Sequence, residues 1–267
     1  MHSTAVRIIA VMNQKGGVGK TTTVANLGVG LTRLGQRVLL MDLDAQAHLT
    51  ASLGLEELPP HAATSFDVLA GQASLLQAAI PLPGSGSGPG SGTLRLVPGT
   101  LALSGADVVF AARIGRELLL RKALADATAA EFDCILLDCP PNLGVLTLNA
   151  LCAAREVLVP VQAEYLALQS LAELMRTMDA VREHLNPGLT LCGVVLTRFS
   201  RTKTLNREVA ATLREHFPDR LFEARIRENV ALAEAPGFGQ DIFRYRPGSA
   251  GAQDYLQLAK ELLRKEA

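Results

Sequence analysis

No apolar run in the 267-residue sequence approaches the roughly 20 residues that a membrane-spanning helix needs. The longest, at residues 157–161 and 189–196, are strand-sized. The N-terminus lacks a basic region followed by an apolar run and a small-residue cleavage site, which predicts a cytoplasmic location. Cysteine is scarce: Cys134, Cys139, Cys152 and Cys192 form no CxxC pair and stand near no histidine at a zinc spacing. They predict reduced core residues rather than a structural metal site. Net charge is also missing, with 26 basic residues against 26 acidic ones, so any nucleic-acid contact must be a local patch. What is present, 48% hydrophobic and 19% charged residues, suits a sheet buried on both faces.

The length fits one doubly wound domain. Residues 7–12 form a β-branched run followed by a Gly-rich turn and a periodic segment at 21–34, which reads strand, loop, helix before Gly35. Further strands are predicted at 37–42, 94–97, 134–138, 157–161 and 189–196, and further helices at 166–184, 205–216 and 252–265. This alternation predicts an α/β fold: a doubly wound, mostly parallel β-sheet with helices on both faces, of the P-loop NTPase kind. The stretch PLPGSGSGPGSG at 81–92 predicts a surface loop at about 83–92 within the same sheet.

The turn after the first strand reads Gln14, Lys15, Gly16, Gly17, Val18, Gly19, Lys20, Thr21, Thr22. Its glycines let backbone N–H groups approach phosphates, and the following helix adds its positive end. Lys20 is placed to hold the β and γ phosphates of a nucleotide, and Thr21 to complete a Mg2+ shell. Gln14 stands where the general pattern has its first glycine. Lys15 accounts for the departure: a second lysine in the loop can reach across to a neighbour's phosphates. The alternative, a Gly-rich turn with two solvated lysines, does not explain strand, loop, helix and GKTT together.

Two acidic strand ends complete the expected site, since open parallel sheets bind ligands at the carboxyl ends of their strands. Asp44, one step beyond the strand ending at Asp42, is placed to orient an attacking water. Asp138 follows the apolar run 135–137 as the acid that holds Mg2+ through water. Asp42 reads either as a third metal-side residue or as a strand-end cap.

These segments resemble the ParA/Soj group of partitioning ATPases within the MinD-like deviant Walker A superfamily. The resemblance rests on NQKGGVGKTTT at 13–23, VLLMDLDAQ at 38–46, CILLDCPPNLG at 134–144, VPVQAEYLAL at 159–168 and NVALAEAPGFG at 229–239. It implies binding of ATP or ADP with Mg2+, catalysis by Lys15, Lys20 and Asp44, and a homodimer that forms with ATP across Lys15 and Gly16. It implies Thr197, Arg227 and Asn229 on the base side, although the group usually has Pro where this chain has Arg227. Where the group reads DPQGN after its acidic pair, this chain has Ala45, Ala47 and His48.

The same resemblance implies a nucleoid-associated protein that holds double-stranded DNA non-specifically and responds to a DNA-bound partner of the ParB type. The group places DNA-binding arginines at positions that align with Thr202 and Glu228 here. Residues 198–227 nevertheless carry eight basic and four acidic groups, 8 − 4 = +4. Arg198, Arg201, Lys203, Arg207, Arg225 and Arg227 are therefore the candidate DNA contacts, against the alternative of a solvated helix face.

A MinD-like membrane-cycling protein is the competing reading. It would need a terminal amphipathic helix, whereas Tyr255, Leu256, Leu258, Leu262 and Leu263 fit a core-facing one, so no stable membrane association is expected. A tyrosine kinase would need a C-terminal tyrosine cluster, and the chain has only Tyr165, Tyr245 and Tyr255. An iron–sulfur ATPase would need a second cysteine to accompany Cys139.

Overall fold

A computed structural model describes residues 6–82, 92–125 and 131–265. All but the last residue of the expected Gly/Ser loop at 83–92 lies outside the described residues. One sheet of eight strands organises the chain, in the order β3-β4-β2-β5-β1-β6-β7-β8. The strands are β1 (Arg7–Val11), β2 (Val38–Asp42), β3 (Ile80–Pro81), β4 (Leu94–Val97), β5 (Cys134–Asp138), β6 (Glu156–Gln162), β7 (Thr190–Phe199) and β8 (Leu221–Arg227). Every pairing is parallel except the short β3–β4 contact at one edge.

Both faces of the central strands are apolar, and the period-2 alternation of side chains sorts them into two cores. Ala10, Leu39, Met41, Ile135 and Leu137 pack on one side. Ile9, Val11, Val38, Leu40 and Leu136 pack on the other. The second core is closed by α1 (Lys20–Arg33) and by the last long helix, whose Tyr255, Leu258 and Leu262 are buried. The first core is closed by helical segments from both halves of the chain, among them Val68, Leu75, Phe110 and Leu120 from the first and Leu151, Leu174 and Leu213 from the second.

The connections after β2 are short helical pieces: α2 (His48–Ser52), α3 (Ser65–Ala70) and α4 (Leu75–Ala78), then α5 (Ala106–Val109) and α6 (Leu119–Ala125). Thr64 and Ser74 start α3 and α4 with reciprocal capping boxes. The remaining helices are α7 (Val145–Ala153), α8 (Ala167–His184), α9 (Thr204–His216), α10 (Val230–Glu234), α11 (Ile242–Tyr245) and α12 (Ala250–Arg264). Among the described residues, no helix is long and apolar enough to cross a membrane.

Strand β8 was not expected from the sequence, because its residues fell within the stretch taken for a basic face. Leu221, Phe222, Ala224 and Ile226 point into the core while Glu223 and Arg227 are exposed. An edge strand presents unpaired N–H groups that invite another chain. Helix α12 covers this edge with carboxylates: Glu261 accepts from the backbone N–H of Glu223 and of Ala224, each at 2.9 Å, and Asp254 accepts from that of Arg227 at 2.9 Å.

Candidate functional site

Strand β1 lies at the centre of the sheet, and the loop that leaves its carboxyl end is held there by β6 and β7. Asn13 donates its side-chain amide to the Pro160 carbonyl at 2.9 Å and accepts from the backbone N–H of Lys15 at 3.0 Å. Thr197, at the end of β7, donates its hydroxyl to the Val18 carbonyl at 2.8 Å. Gly17 and Gly19 adopt φ of 74° and 89°, a left-handed backbone that costs an L side chain roughly 1–2 kcal/mol. Gly19 is also the N-cap of α1, so the helix begins with its first N–H groups turned toward the loop.

The two lysines of the loop sit in different settings. Lys20 is buried, and its ammonium donates to the Lys15 carbonyl at 3.3 Å. Burial lowers its pKa from the ordinary lysine value, opposed by the charges of Asp138, Cys139 and Asp44. Lys15 is half-buried and pairs with Glu164, the residue two beyond β6. Sequence reasoning gave Glu164 no role; its signal was a carboxylate just past the carboxyl end of the strand next to β1.

Asp42 and Asp138 are partners in register on β2 and β5, so parallel pairing sets their carboxyls side by side. Asp138 is fully buried, and neither of its carboxylate oxygens has a hydrogen-bond partner among the described residues. Desolvation first, and then the neighbouring Asp42, push its carboxyl well above the ordinary range, while the nearby Thr21 hydroxyl and Lys20 oppose the rise. An orphaned buried carboxylate beside a threonine hydroxyl at a helix N-terminus is a hard-oxygen donor set suited to Mg2+.

Asp42 is engaged differently. Its Oδ2 accepts from the Thr50 backbone N–H at 2.9 Å and from the Thr50 hydroxyl at 2.7 Å, and its Oδ1 accepts from the Asp44 N–H at 3.1 Å. The Thr50 hydroxyl in turn accepts from the Gly99 N–H at 2.9 Å. Only glycine fits at 99, since a Cβ there would lie 2.8 Å from the Asp42 carboxyl carbon. These bonds support the strand-end cap: Asp42 fastens the segment that carries Asp44 to the start of α2.

That segment is tightly folded. Asp44 accepts from the Gln46 N–H at 3.0 Å, and the Asp44 carbonyl accepts from the Ala47 N–H at 2.9 Å. Ala47 then takes φ of 51° as the N-cap of α2. Left-handed alanine costs about 1–2 kcal/mol, and glycine returns part of that as unfolded-state freedom worth about 0.5–1 kcal/mol. Ala47→Gly is therefore expected to raise unfolding free energy by about 0.5–1 kcal/mol in urea titration. A loss of that size would show that the left-handed turn carries no strain.

Beside the loop, a cavity of about 400 Å3 is lined by Val18, Thr22, Thr197, Arg198, residues 226–230 and Tyr255. All three expected base-side residues thus border it. Asn229 also caps α10 by accepting from the Ala231 N–H at 2.9 Å. Arg227 is turned toward α12, its guanidinium forked onto Asp254 at 2.7 and 3.0 Å.

A sequence profile described as an AAA domain matches residues 6–191. The chromosome partitioning protein ParA of Caulobacter vibrioides is 42% identical over 269 residues, covering 100% of this chain and 97% of that protein. This chain belongs to the ParA/Soj family of partitioning ATPases. The chromosome-partitioning ATPase Soj of Thermus thermophilus is 46% identical over 97% of this chain and 96% of its own length. Among solved structures, one described as cobyrinic acid a,c-diamide synthase from Mycobacterium smegmatis, with bound ADP and magnesium, superposes with a TM-score of 0.81. It is 36% identical, over 97% of this chain and 94% of that one.

The expected basic face is more neutral in three dimensions than in sequence. Arg198 and Lys203 meet Glu228 at 3.7 and 3.0 Å, Arg214 meets Glu223 at 2.6 Å, and Arg227 meets Asp254. Glu228 and Asp254 lie outside residues 198–227, so adding them lowers the balance to 8 − 6 = +2. Arg225 stacks 4.5 Å over the Phe199 ring, and Arg201 and Arg207 are exposed and make no ion pair among the described residues.

Proposed function

We propose that this family member is a nucleotide-switched partition ATPase whose ATP-bound form is a homodimer that holds double-stranded DNA non-specifically, on the nucleoid. A DNA-bound partner of the ParB type would trigger hydrolysis. The observation that carries the reading is a left-handed glycine loop that borders a cavity and leads into the buried Lys20, next to Asp138, whose carboxylate oxygens have no hydrogen-bond partner among the described residues. All of it lies on one domain in this reading.

In this reading the residues of the ATP hydrolase divide the work. Backbone N–H groups of 16–21 and the start of α1 cradle the phosphates, and Lys20 holds the β and γ phosphates. Thr21 and Asp138 would hold Mg2+, which when bound neutralises charge on the phosphates. Asp44, half-buried on its pinned turn, orients water. Thr197 and Asn229 flank the base, with Arg227 as an outer wall through its stem.

Dimerisation is supported by what surrounds Lys15. Leu143, Tyr165 and Leu166, beside the carboxyl ends of β5 and β6, are 45, 84 and 54% exposed, an apolar rim of the kind that marks a docking face. Lys15 would exchange Glu164 for the phosphates of the second copy. The MinD-like alternative draws no support from α12, whose apolar side is committed to the core.

The test is retention of a random-sequence duplex by the full chain with Mg2+-ATP and with Mg2+-ADP. Retention with ATP that falls steeply with salt is expected, because phosphate neutralisation releases counterions. Equal retention with both nucleotides, or none, would overturn the DNA reading, and sedimentation with anionic vesicles would then favour the alternative.

A further inference from the structure

We propose that Glu228 is a charge brake on the DNA-binding face: it occupies Arg198 and Lys203, and these two cations reach DNA phosphates only when it lets them go. The proposal rests on the DNA reading above. Glu228 is the first residue after β8, and both of its carboxylate oxygens face cations. All three side chains are half in water, at 51, 58 and 56% exposure. Exposed ion pairs are weak, so this clamp opens easily, yet a carboxylate so near competes directly with any phosphate.

The position of the clamp couples it to the nucleotide. Arg198 and Glu228 both line the base cavity, and the Glu228 N–H donates to the Phe199 carbonyl at 3.4 Å. Arg198 takes φ of 47°, a left-handed backbone that a side-chain-bearing residue keeps only where its surroundings enforce it. A base seated against Thr197 and Asn229 therefore abuts the strained residue and its counter-ion, and can bias the clamp toward release. The neighbouring crevice of about 410 Å3 is lined by Phe199, Arg201 and Arg225 together with Glu223 and Asp254, and neither Arg201 nor Arg225 makes an ion pair among the described residues. Desolvation first, and then Arg214 and Arg201, lower the pKa of Arg225, while Glu223 opposes them.

The test is fluorescence anisotropy of a labelled random duplex with the full chain and Mg2+-ATP over a range of KCl, comparing wild type with Glu228→Gln. Freeing two cations is expected to tighten binding on the order of fivefold and to steepen the log–log salt slope by about one to two. Adding Lys203→Gln should return most of the gain. Glu208→Gln, which removes one exposed acid from α9 on the same segment, should gain less than half as much. Equal DNA binding by wild type and Glu228→Gln, or an equal gain from Glu208→Gln, would overturn the brake and leave the DNA reading standing. Absence of DNA binding by every protein would overturn both.

Discussion

Lys20→Ala is expected to abolish measurable nucleotide binding. The side chain is buried at the start of α1, its charge favoured by Asp138 and Asp44 and disfavoured by desolvation. A buried ammonium with only a 3.3 Å contact to a carbonyl is an under-satisfied donor poised for anions. Charge-assisted hydrogen bonds contribute about 1.5–3 kcal/mol each, so losing contact with two phosphates costs about 3–6 kcal/mol, or roughly 10²–10⁴ in Kd. Calorimetric titration with Mg2+-ATP measures this directly. A Kd within about threefold of wild type would show that Lys20 does not touch the phosphates. Thermal unfolding without nucleotide separates this effect from misfolding.

Asp44→Ala is expected to separate binding from turnover. Asp44 is half-buried beyond β2 and is not among the residues lining the base cavity, so Kd for ATP should change by no more than about threefold. Loss of a group that orients or accepts a proton from water lowers rates by typically 10²–10⁴. The turn should survive, because Asp42, not Asp44, supplies the bonds that fasten it to Thr50. Phosphate release within about twofold of wild type would remove Asp44 from catalysis.

The glycine loop, its flanking strand and helix, and the acidic ends of β2 and β5 were legible in the sequence because each is a local pattern. Residues 134–138 and 94–97 match their strands to the residue, and the other expected elements differ only at their ends. The rest depends on contacts that spacing does not encode. Strand β8 hid its alternation under charges, and the α12 carboxylates that cover its edge lie about 30 residues on. Asp42 finds its hydrogen-bond partner eight residues later in Thr50, a contact that the strand pattern does not announce. Lys15 and Glu164 meet across 149 residues. The charge balance of the basic face shifts for the same reason: its counter-ions Glu228 and Asp254 come from outside the segment that carries the arginines, Asp254 lying 27 residues past Arg227.

The central claim is that this loop reads ATP as a signal to pair with a second copy. Size-exclusion chromatography with light scattering on Asp44→Ala tests it most directly. Twice the 28.3 kDa chain mass with Mg2+-ATP, and the chain mass with Mg2+-ADP, is the predicted result. A single mass with both nucleotides, under conditions where calorimetry shows ATP bound, would contradict it.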